Sequence, residues 1–292
     1  MSLESQIKDI YGSAAAIRYK EPVAGGDINE AYHLVLNSGE ELFLKENSEK
    51  LAGMFAAEAH GLEALQKANG HVPKVIAVGK DERGRQFLLL EYVRSSRPQR
   101  GYWLALGHML GRMHQADTQE FTLEGRFGFH EDNYIGSSPQ VNRSQSSWLD
   151  FYRDFRLGKQ MRMAEHYFEQ TDRKLCLKLL DHLDDYLSEP AFPSLLHGDL
   201  WSGNVMPNSQ GAPMLIDPAV YVGHHEADIA MTELFGGFAP DFYDGYHEVI
   251  PKEPGYIDRR ELYNLYHLLN HLNLFGSSYL SAVRRILKRY VG

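Results

Sequence analysis

One segment in the last third of the chain limits the folds that this sequence can adopt. Residues 196–204 read Leu-His-Gly-Asp-Leu-Trp-Ser-Gly-Asn, and after a turn at 208–211 the chain continues to Leu-Ile-Asp-Pro at 215–218. Strand-like residues flank that turn, so the pattern predicts a polar loop followed by a β-hairpin. The hairpin would return the chain and bring Asp217 beside the residues of the loop.

The polar residues of this segment suit phosphoryl transfer. That reaction needs a carboxylate near the attacking hydroxyl and oxygen ligands for Mg²⁺. Asp199 and Asn204, five residues apart, can supply the base and one ligand from a single loop, and Asp217 can reach the same ion. Asp, Asn and Gly also favour turns for purely structural reasons. The complete set in this order, set between strands, favours the catalytic interpretation.

A lysine and a glutamate in the first third of the chain give an independent indication. A helix is predicted over roughly 50–68, and Glu58 lies on its apolar stripe. The stripe consists of Leu51, Met54, Phe55, Leu62 and Leu65. A carboxylate directed into an interior needs a partner, and Lys45, on the preceding strand, points to the same side as Phe43. Kinases orient their phosphate-binding lysine with such a pair. The alternative is that both side chains reach solvent.

The order of the predicted elements divides the chain in two. Strand-like runs occupy 31–36, 41–45, 75–78 and 86–91. A polar segment at 94–101 follows and resembles a linker. Apolar spacing typical of helices covers 102–116, 148–170, 173–187, 256–274 and 278–290. We therefore predict an α+β protein with a small β-rich N-terminal lobe at 1–93, which binds ATP, and a larger, mainly helical lobe at 94–292, which carries catalysis and substrate binding.

Composition excludes several classes of protein. The chain has 292 residues, of which 43% are hydrophobic and 24% are charged, so a globular protein with a substantial core is expected. A net charge of −9 argues against nucleic acid as a partner. The single cysteine, Cys176, permits no intramolecular disulfide. No signal-peptide core and no run of about 18 apolar residues is present, so we expect no membrane partner and a cytoplasmic location.

Two further segments could contact a nucleotide. Gly25, Gly26 and Asp27 lie in a loop between the first predicted strands, where glycines allow backbone amides to approach phosphates. An ordinary hairpin turn would look similar, and the chain contains no G-x-x-x-x-G-K-[ST] motif. Glu91, Tyr92 and Val93 end the last strand of the small lobe, where their backbone could hold adenine.

Taken together, these motifs resemble those of the fructosamine kinase (ketosamine-3-kinase) family, within the wider aminoglycoside phosphotransferase and choline kinase-like group. The resemblance extends over almost the whole chain. The wider group accounts for His197, Gly198, Asp199, Asn204 and Asp217. The narrower family is indicated by the motifs at 25–29, 128–136, 201–202, 217–224 and 265–271.

This resemblance implies a protein-kinase-like, two-lobed fold and ATP- and Mg²⁺-dependent phosphorylation of the C3 hydroxyl of a ketosamine. A ketosamine is a sugar attached through an amine after glycation, and its phosphorylation leads to repair of the amine. Asp199 would be the base, Asn204 and Asp217 the metal ligands, and Lys45 with Glu58 the phosphate-positioning pair.

Three more residues of the catalytic region receive roles in support of the loop or the substrate. Asp228 matches an aspartate that braces the loop, although an acid at a helix N-terminus is also stabilising by itself. His197 belongs to the same loop motif. Trp201 could stack on a sugar or pack the loop onto the helical lobe.

Other functions stay open at this point. A small-molecule kinase of the same fold could act on an aminoglycoside, a choline-like alcohol or another sugar. A nucleotide-binding module without turnover is disfavoured because Lys45, Glu58 and Asp199 are all present. His267 and His271 share one helix face and suggest a metal hydrolase, but a third ligand is not evident. The sequence leaves the sugar, the choice between free and protein-bound substrate, and the oligomeric state undetermined.

Overall fold

The N-terminal part of the chain is an antiparallel sheet with a helix on each face. The structure is a computed structural model and describes residues 2–23, 29–47, 53–81, 84–124 and 126–292. The sheet consists of β1 (Ile17–Pro22), β2 (Glu30–Leu36), β3 (Glu41–Asn47), β4 (Val75–Lys80) and β5 (Gln86–Glu91). Its strand order is β1-β2-β3-β5-β4. The two helices are α1 (Leu3–Tyr11) and α2 (Met54–Lys67).

The two faces of this sheet bury different side chains because residues alternate along a strand. Leu42 and Leu44 of β3 pack in a small core with α1, whereas Leu88 and Leu90 of β5 belong to the main core with α2. Both faces are covered, which explains why β5 reads as a continuous apolar run. The same alternation directs Lys45 towards α2 and away from α1.

The rest of the chain is mainly helical. Its helices are α3 (Tyr102–His114), α4 (Trp148–Phe151), α5 (Gly158–Met163), α6 (Gln170–Asp181), α7 (Glu226–Leu234), α8 (Pro240–Val249), α9 (Tyr256–Phe275) and α10 (Leu280–Val291). Three two-stranded ribbons lie among them, and they pair β6 (Asn133–Ile135) with β7 (Ser138–Gln140), β8 (Ser194–Leu196) with β11 (Tyr221–Gly223), and β9 (Val205–Pro207) with β10 (Pro213–Leu215). The last ribbon is the hairpin predicted after the polar loop.

The α+β prediction is confirmed, and the division into lobes at residue 93 stays a prediction. Among the described residues, no helix is both long enough and apolar enough to cross a lipid bilayer. The strands predicted in the first third are present, each within a few residues of the expected ends.

The single helix predicted over 148–170 is wrong. The chain forms α4, a π-helical stretch (Tyr152–Leu157), α5 and a 3₁₀ turn (Glu165–Tyr167) before α6 begins at Gln170. A capping box between Glu169 and Asp172 starts α6, so the beginning of that helix has a local cause. The wide π turn contains Arg156, which is fully buried among aromatic rings.

Candidate active site

The loop that carries Asp199 crosses closely over the backbone at Ala219. Gly198 has a φ of +81°, and a Cβ atom there would lie 2.0 Å from the carbonyl oxygen of Ala219. The N–H of Ala219 donates to the carbonyl of His197 at 2.8 Å. Only glycine fits so close a crossing in this conformation. The His-Gly-Asp sequence therefore has a steric reason as well as a chemical one.

Asp228 on α7 holds the same loop from beneath. Its carboxylate accepts the N–H groups of His197 at 2.7 Å and Gly198 at 2.9 Å. It also lies 3.2 Å from Nε2 of His114, whose Nδ1 is 2.8 Å from the hydroxyl of Tyr246. Burial alone would raise the pKa of Asp228, but the hydrogen bonds and the neighbouring His114 hold it below its ordinary value. Asp228 is therefore a buried anchor for the loop.

Replacing Asp228 with alanine is expected to lower the free energy of unfolding by about 2–4 kcal/mol, because two buried N–H groups lose their acceptor. Urea denaturation measures this change. Asp241→Ala, at an exposed position on α8, serves as the control and should shift the midpoint little. If the Asp228→Ala variant were as stable as that control, the fold of the loop would not depend on this carboxylate.

The ring of His197 connects the two ends of the site. Its Nε2 is 3.0 Å from the carbonyl of Ile216, and its Nδ1 is 3.3 Å from the N–H of Asp199. A carbonyl accepts and an N–H donates, so the proton of a neutral ring lies on Nε2. Burial lowers the pKa of His197 and so favours that neutral form. His197 therefore joins the loop to the residue that precedes Asp217.

Asp199 and Asn204 face each other across the loop. The side-chain amide nitrogen of Asn204 donates to the backbone carbonyl of Asp199 at 2.8 Å and to its carboxylate at 3.2 Å. Burial raises the pKa of Asp199 to about 7, and the negative charges of Asp217 and Asp228 act in the same direction. A carboxylate with a raised pKa is a stronger base near neutral pH than an ordinary aspartate.

This raised pKa predicts a pH-dependent stability for the protein without nucleotide or metal. The folded pKa is about 7 against an ordinary 3.8, so the folded state binds more protons and stability falls as the pH rises between these values. Asp199→Asn removes this penalty. The stability advantage of the variant should therefore grow by about 1–3 kcal/mol from about pH 5 to about pH 8. Urea titrations at both pH values measure it, and a pH-independent difference would contradict the raised pKa.

Lys45 is nearly buried and lies between two carboxylates. Its Nζ donates to Oε1 of Glu58 at 2.6 Å and also to Oδ1 of Asp217. Burial alone would lower the pKa of Lys45, but the attraction of Asp217 and Glu58 raises it above its ordinary value, so the ammonium stays charged. This contact brings residues from β3, α2 and the chain after β10 together. The structure therefore contradicts the alternative in which Lys45 and Glu58 both reach solvent.

The donor set near Asp217 fits a Mg²⁺ ion and the phosphates that it would accompany. Asn204 directs its amide nitrogen towards Asp199, which leaves its amide oxygen as the donor for a cation. Asp217 has a φ of +53°, uncommon for a residue other than glycine, and such conformations cluster at functional sites. The N–H of Ile216 donates to the carbonyl of Asn204 at 3.0 Å, so the two oxygen donors are tied together. An amide and a carboxylate oxygen are ligands that Mg²⁺ accepts.

The segments predicted to contact the rest of a nucleotide are described only in part. Gly25, Gly26 and Asp27 lie outside the described residues. Glu91 is anchored twice to Lys74, through its own N–H at 3.0 Å and through its carboxylate, which accepts the N–H of Lys74 at 2.9 Å. Tyr92 stacks on His33, with 3.8 Å between the ring centroids. Val93 follows at the start of the connection to α3. A role of these residues in holding adenine stays a prediction.

The structure shows the surroundings of Trp201 and of the histidines of α9, for which the sequence allowed more than one role. Trp201 is 39% exposed, and its ring covers Gly203, where a Cβ atom would lie only 2.3 Å from it. It is not buried in the helical part, so it is available to a bound molecule. His271 Nδ1 is 2.8 Å from the carbonyl of His267, four residues earlier, and within the described residues the two histidines do not belong to a cluster of metal-ligand type.

A polar network beside the loop that carries Asp199 was not predicted. Gln140 on β7 donates to Asn133 at 2.8 Å and to the carbonyl of Ala219 at 3.0 Å, and its side-chain oxygen accepts the hydroxyl of Tyr266 at 2.5 Å. Asn133 in turn donates to the carbonyl of Val220 at 2.7 Å. The network fixes the chain that follows Asp217. The motif at 128–136 contains Asn133, but nothing local marks Gln140 as its partner.

Comparison with solved structures defines the class of fold. The candidate fructosamine-3-kinase of Haemophilus somnus superposes with a TM-score of 0.87 at 29% identity, over 100% of this chain and 97% of that one. An aminoglycoside phosphotransferase crystallised with ADP and hygromycin B superposes with a TM-score of 0.63 at 15% identity, over 100% of both chains. The fold is therefore the protein-kinase-like fold of these phosphotransferases, as predicted.

Sequence comparison identifies the family within that class. The model of the fructosamine kinase family matches residues 1–292. A probable ketoamine kinase of Synechocystis is 40% identical over 291 residues, which cover 99% of this chain and 95% of that protein. The chloroplastic protein-ribulosamine 3-kinase of Arabidopsis thaliana is 39% identical over 286 residues, with coverage of 96% and 85%. The chain belongs to the fructosamine kinase family.

Proposed function

We propose that this protein is an ATP- and Mg²⁺-dependent kinase that phosphorylates the C3 hydroxyl of a ketosamine such as a fructosamine or a ribulosamine. The observation that carries the proposal is the convergence of Lys45, Glu58 and Asp217 in one ion-paired group, beside a loop that holds Asp199 and Asn204. Membership of the fructosamine kinase family supports the choice of acceptor. The phosphorylated adduct would then be lost from the amine, which repairs it.

In this proposal each residue of the site has one task. Lys45, oriented by Glu58, binds phosphate oxygens of ATP, and Asn204 and Asp217 supply oxygen ligands for the metal. Bound Mg²⁺ would neutralise the charge that develops on the transferring phosphoryl group. Asp199 accepts the proton of the acceptor hydroxyl. At the same time the hydroxyl oxygen bonds to the γ-phosphorus of ATP, and ADP leaves. Asp228 and His197 keep the loop in place, so most of the rate gain would come from positioning and charge.

The remaining assignments concern the surroundings of the site. The loop with Gly25, Gly26 and Asp27 would cover the phosphates, and the backbone of Glu91, Tyr92 and Val93 would hold adenine. Trp201, exposed beside Asp199, would contact the acceptor. The 1–93 segment would act as the ATP-binding lobe and 94–292 as the catalytic lobe. We further propose that the protein acts in the cytoplasm on free or protein-bound ketosamines.

The test is Mg²⁺-dependent release of ADP by the pure protein with a panel of acceptors. The panel contains a fructosamine and a ribulosamine of lysine, with choline and an aminoglycoside as controls. The proposal predicts turnover with the ketosamines only, and its loss in Asp199→Asn. Turnover with a control acceptor alone would keep the phosphotransferase chemistry and reject the substrate. ATP binding without transfer to any acceptor would favour a nucleotide-binding module.

A further inference from the structure

A second group of metal-ligand side chains lies apart from the proposed active site. His60 on α2 has its Nδ1 2.6 Å from Oε1 of Glu131, and Nε2 of His130 is 3.9 Å from the same oxygen. One ligand atom from each of the three residues lies within 4.8 Å of the others. We propose that His60, His130 and Glu131 form a binding site for a transition-metal ion of the Zn²⁺ type.

The distances suit such an ion with small adjustments. Zn²⁺ lies about 2.0–2.2 Å from nitrogen and oxygen ligands, so two ligand atoms of a tetrahedral site are about 3.3 Å apart. The separations of 2.6 Å and 3.9 Å to the Glu131 oxygen lie on either side of that value. His60 and His130 are both exposed, so their rings can turn to bring the three ligand atoms, which all lie within 4.8 Å of one another, to that separation.

The backbone groups of two of the three ligands, His130 and Glu131, form hydrogen bonds that hold their segment in place. The N–H of His130 donates to the carbonyl of Phe121 at 3.0 Å, and its ring packs on Phe129 with 4.1 Å between the centroids. The carbonyl of Glu131 accepts the side-chain amide of Asn142 at 3.0 Å. His60 comes from the other side, on a regular helix. A site whose ligands are placed before the ion binds loses less entropy on binding.

The ligand types and surroundings indicate which ion fits. Two imidazoles with one carboxylate suit Zn²⁺ and its neighbours in the first transition row, whereas Mg²⁺ and Ca²⁺ prefer oxygen ligands. A cavity of about 170 Å³ adjoins His60 and His130 and also borders Glu63, which offers room for a water or a second carboxylate as the fourth ligand. The cation at this edge, Lys67, is already paired with Glu120 at 2.8 Å.

A second cluster of this kind among the described residues does not support the same inference. His224, Glu226 and Glu253 also lie close together. Both carboxylate oxygens of Glu226, however, accept hydrogen bonds from Arg259, at 2.6 Å and 2.7 Å. A guanidinium already supplies the positive charge there, so a metal ion would have to displace it.

An ion at the proposed site would join α2 to the segment at 127–132. Helix α2 also carries Glu58, which contacts Lys45, so the ion would be attached to the element that orients this lysine. The segment at 127–132 is fixed in turn to β11, because Gly128 and Val222 exchange backbone hydrogen bonds at 2.9 Å and 2.7 Å. The site therefore links two elements that both bear on the active site.

Cobalt titration of the full chain tests this proposal without relying on catalysis. Co²⁺ bound by imidazoles in four- or five-coordinate geometry absorbs visible light more strongly than the hexaaqua ion. Mg²⁺ is added in large excess, so that it competes with Co²⁺ for the proposed oxygen site near Asp217. We expect saturable binding of one equivalent of Co²⁺, displaced by Zn²⁺. His60→Ala and His130→Ala should each weaken that binding by at least about tenfold.

The chain offers a matched control for these variants. His108 lies 2.6 Å from Glu248 in an exposed pair of the same type, but within the described residues it does not belong to a three-ligand cluster. His108→Ala should bind Co²⁺ as the wild type does. The proposal is overturned if the wild type shows no saturable cobalt band, or if His60→Ala and His130→Ala both bind as tightly as His108→Ala. Circular dichroism confirms that each variant is folded.

Discussion

Replacing Asp199 with asparagine is expected to lower kcat by about 10²–10⁴-fold, the range for loss of a positioned general base. The amide keeps the shape of the side chain and its contact with Asn204, but it cannot accept the proton of the acceptor hydroxyl. The effect should fall on kcat, because the substitution leaves Lys45, Glu58 and Asp217, the proposed phosphate- and metal-binding residues with their positioning partner, unchanged. Steady-state kinetics with a ketosamine and ATP measure both constants.

The interpretation of that result depends on intact folding and nucleotide binding. Asp199→Asn should bind ATP within a few-fold of the wild type, and Asp241→Asn on α8 should turn over normally because it is exposed and far along the chain from the loop. If pure Asp199→Asn retained near-normal turnover, Asp199 would not be the base.

Replacing Asp217 with alanine is expected to lower kcat/KM by about 10³-fold or more, since a metal clamp contributes several kcal/mol to the transition state. The substitution would remove a proposed carboxylate ligand of the metal, and it removes one of the two carboxylates that contact Lys45 among the described residues. Lys45 keeps its 2.6 Å contact with Glu58, so the local ion pair persists. Activity should be measured across a wide range of Mg²⁺ concentrations.

Magnesium dependence tests whether a defect in the Asp217 variant comes from the loss of a metal ligand. Loss of a ligand predicts that activity stays low, or recovers only in part, as Mg²⁺ is raised. Asn204→Ala should show a weaker defect of the same kind, because the proposed ligand that it removes is neutral. Full activity of Asp217→Ala at raised Mg²⁺ would rule out Asp217 as an essential ligand.

The local sequence was informative where periodicity and chemistry agreed. The apolar stripe of α2 and the alternation of β3 predicted that Lys45 and Glu58 face each other. In the structure Nζ of Lys45 lies 2.6 Å from Oε1 of Glu58. The turn at 208–211 predicted the β9–β10 hairpin that returns the chain to Asp217. Both inferences depend on neighbours within a few residues, which a single sequence can report.

Other parts of the site depend on contacts between distant residues. His114, on α3, meets Asp228 across 114 positions, and Gln140 meets Tyr266 across 126. The residues next to a buried histidine or glutamine in the sequence do not indicate which distant residue it contacts. The extent of helix α7 was not predicted, although Asp228 was considered as an acid at a helix N-terminus, because this helix is short and buried over most of its surface, which removes the amphipathic pattern.

The break in the predicted 148–170 helix shows the same limit. Apolar spacing continued through Arg156, but this side chain is fully buried, and it donates to the carbonyl of Val141 at 2.7 Å and to Asn142 at 2.6 Å. Its guanidinium also lies 3.9 Å from the ring centroid of Tyr221. These tertiary partners accompany a π-helical turn that the period of the sequence does not indicate.

The most direct measurement of the central claim is ³¹P NMR of the product formed from ATP, Mg²⁺ and a ribulosamine or fructosamine. Phosphorylation at C3 would give a new phosphate monoester resonance coupled to the proton on C3 of the sugar. The signal should appear together with ADP and be absent with Asp199→Asn. A monoester at another carbon would contradict the assigned position. Formation of inorganic phosphate and ADP alone, with the sugar unchanged, would contradict the claim that this protein is a ketosamine kinase.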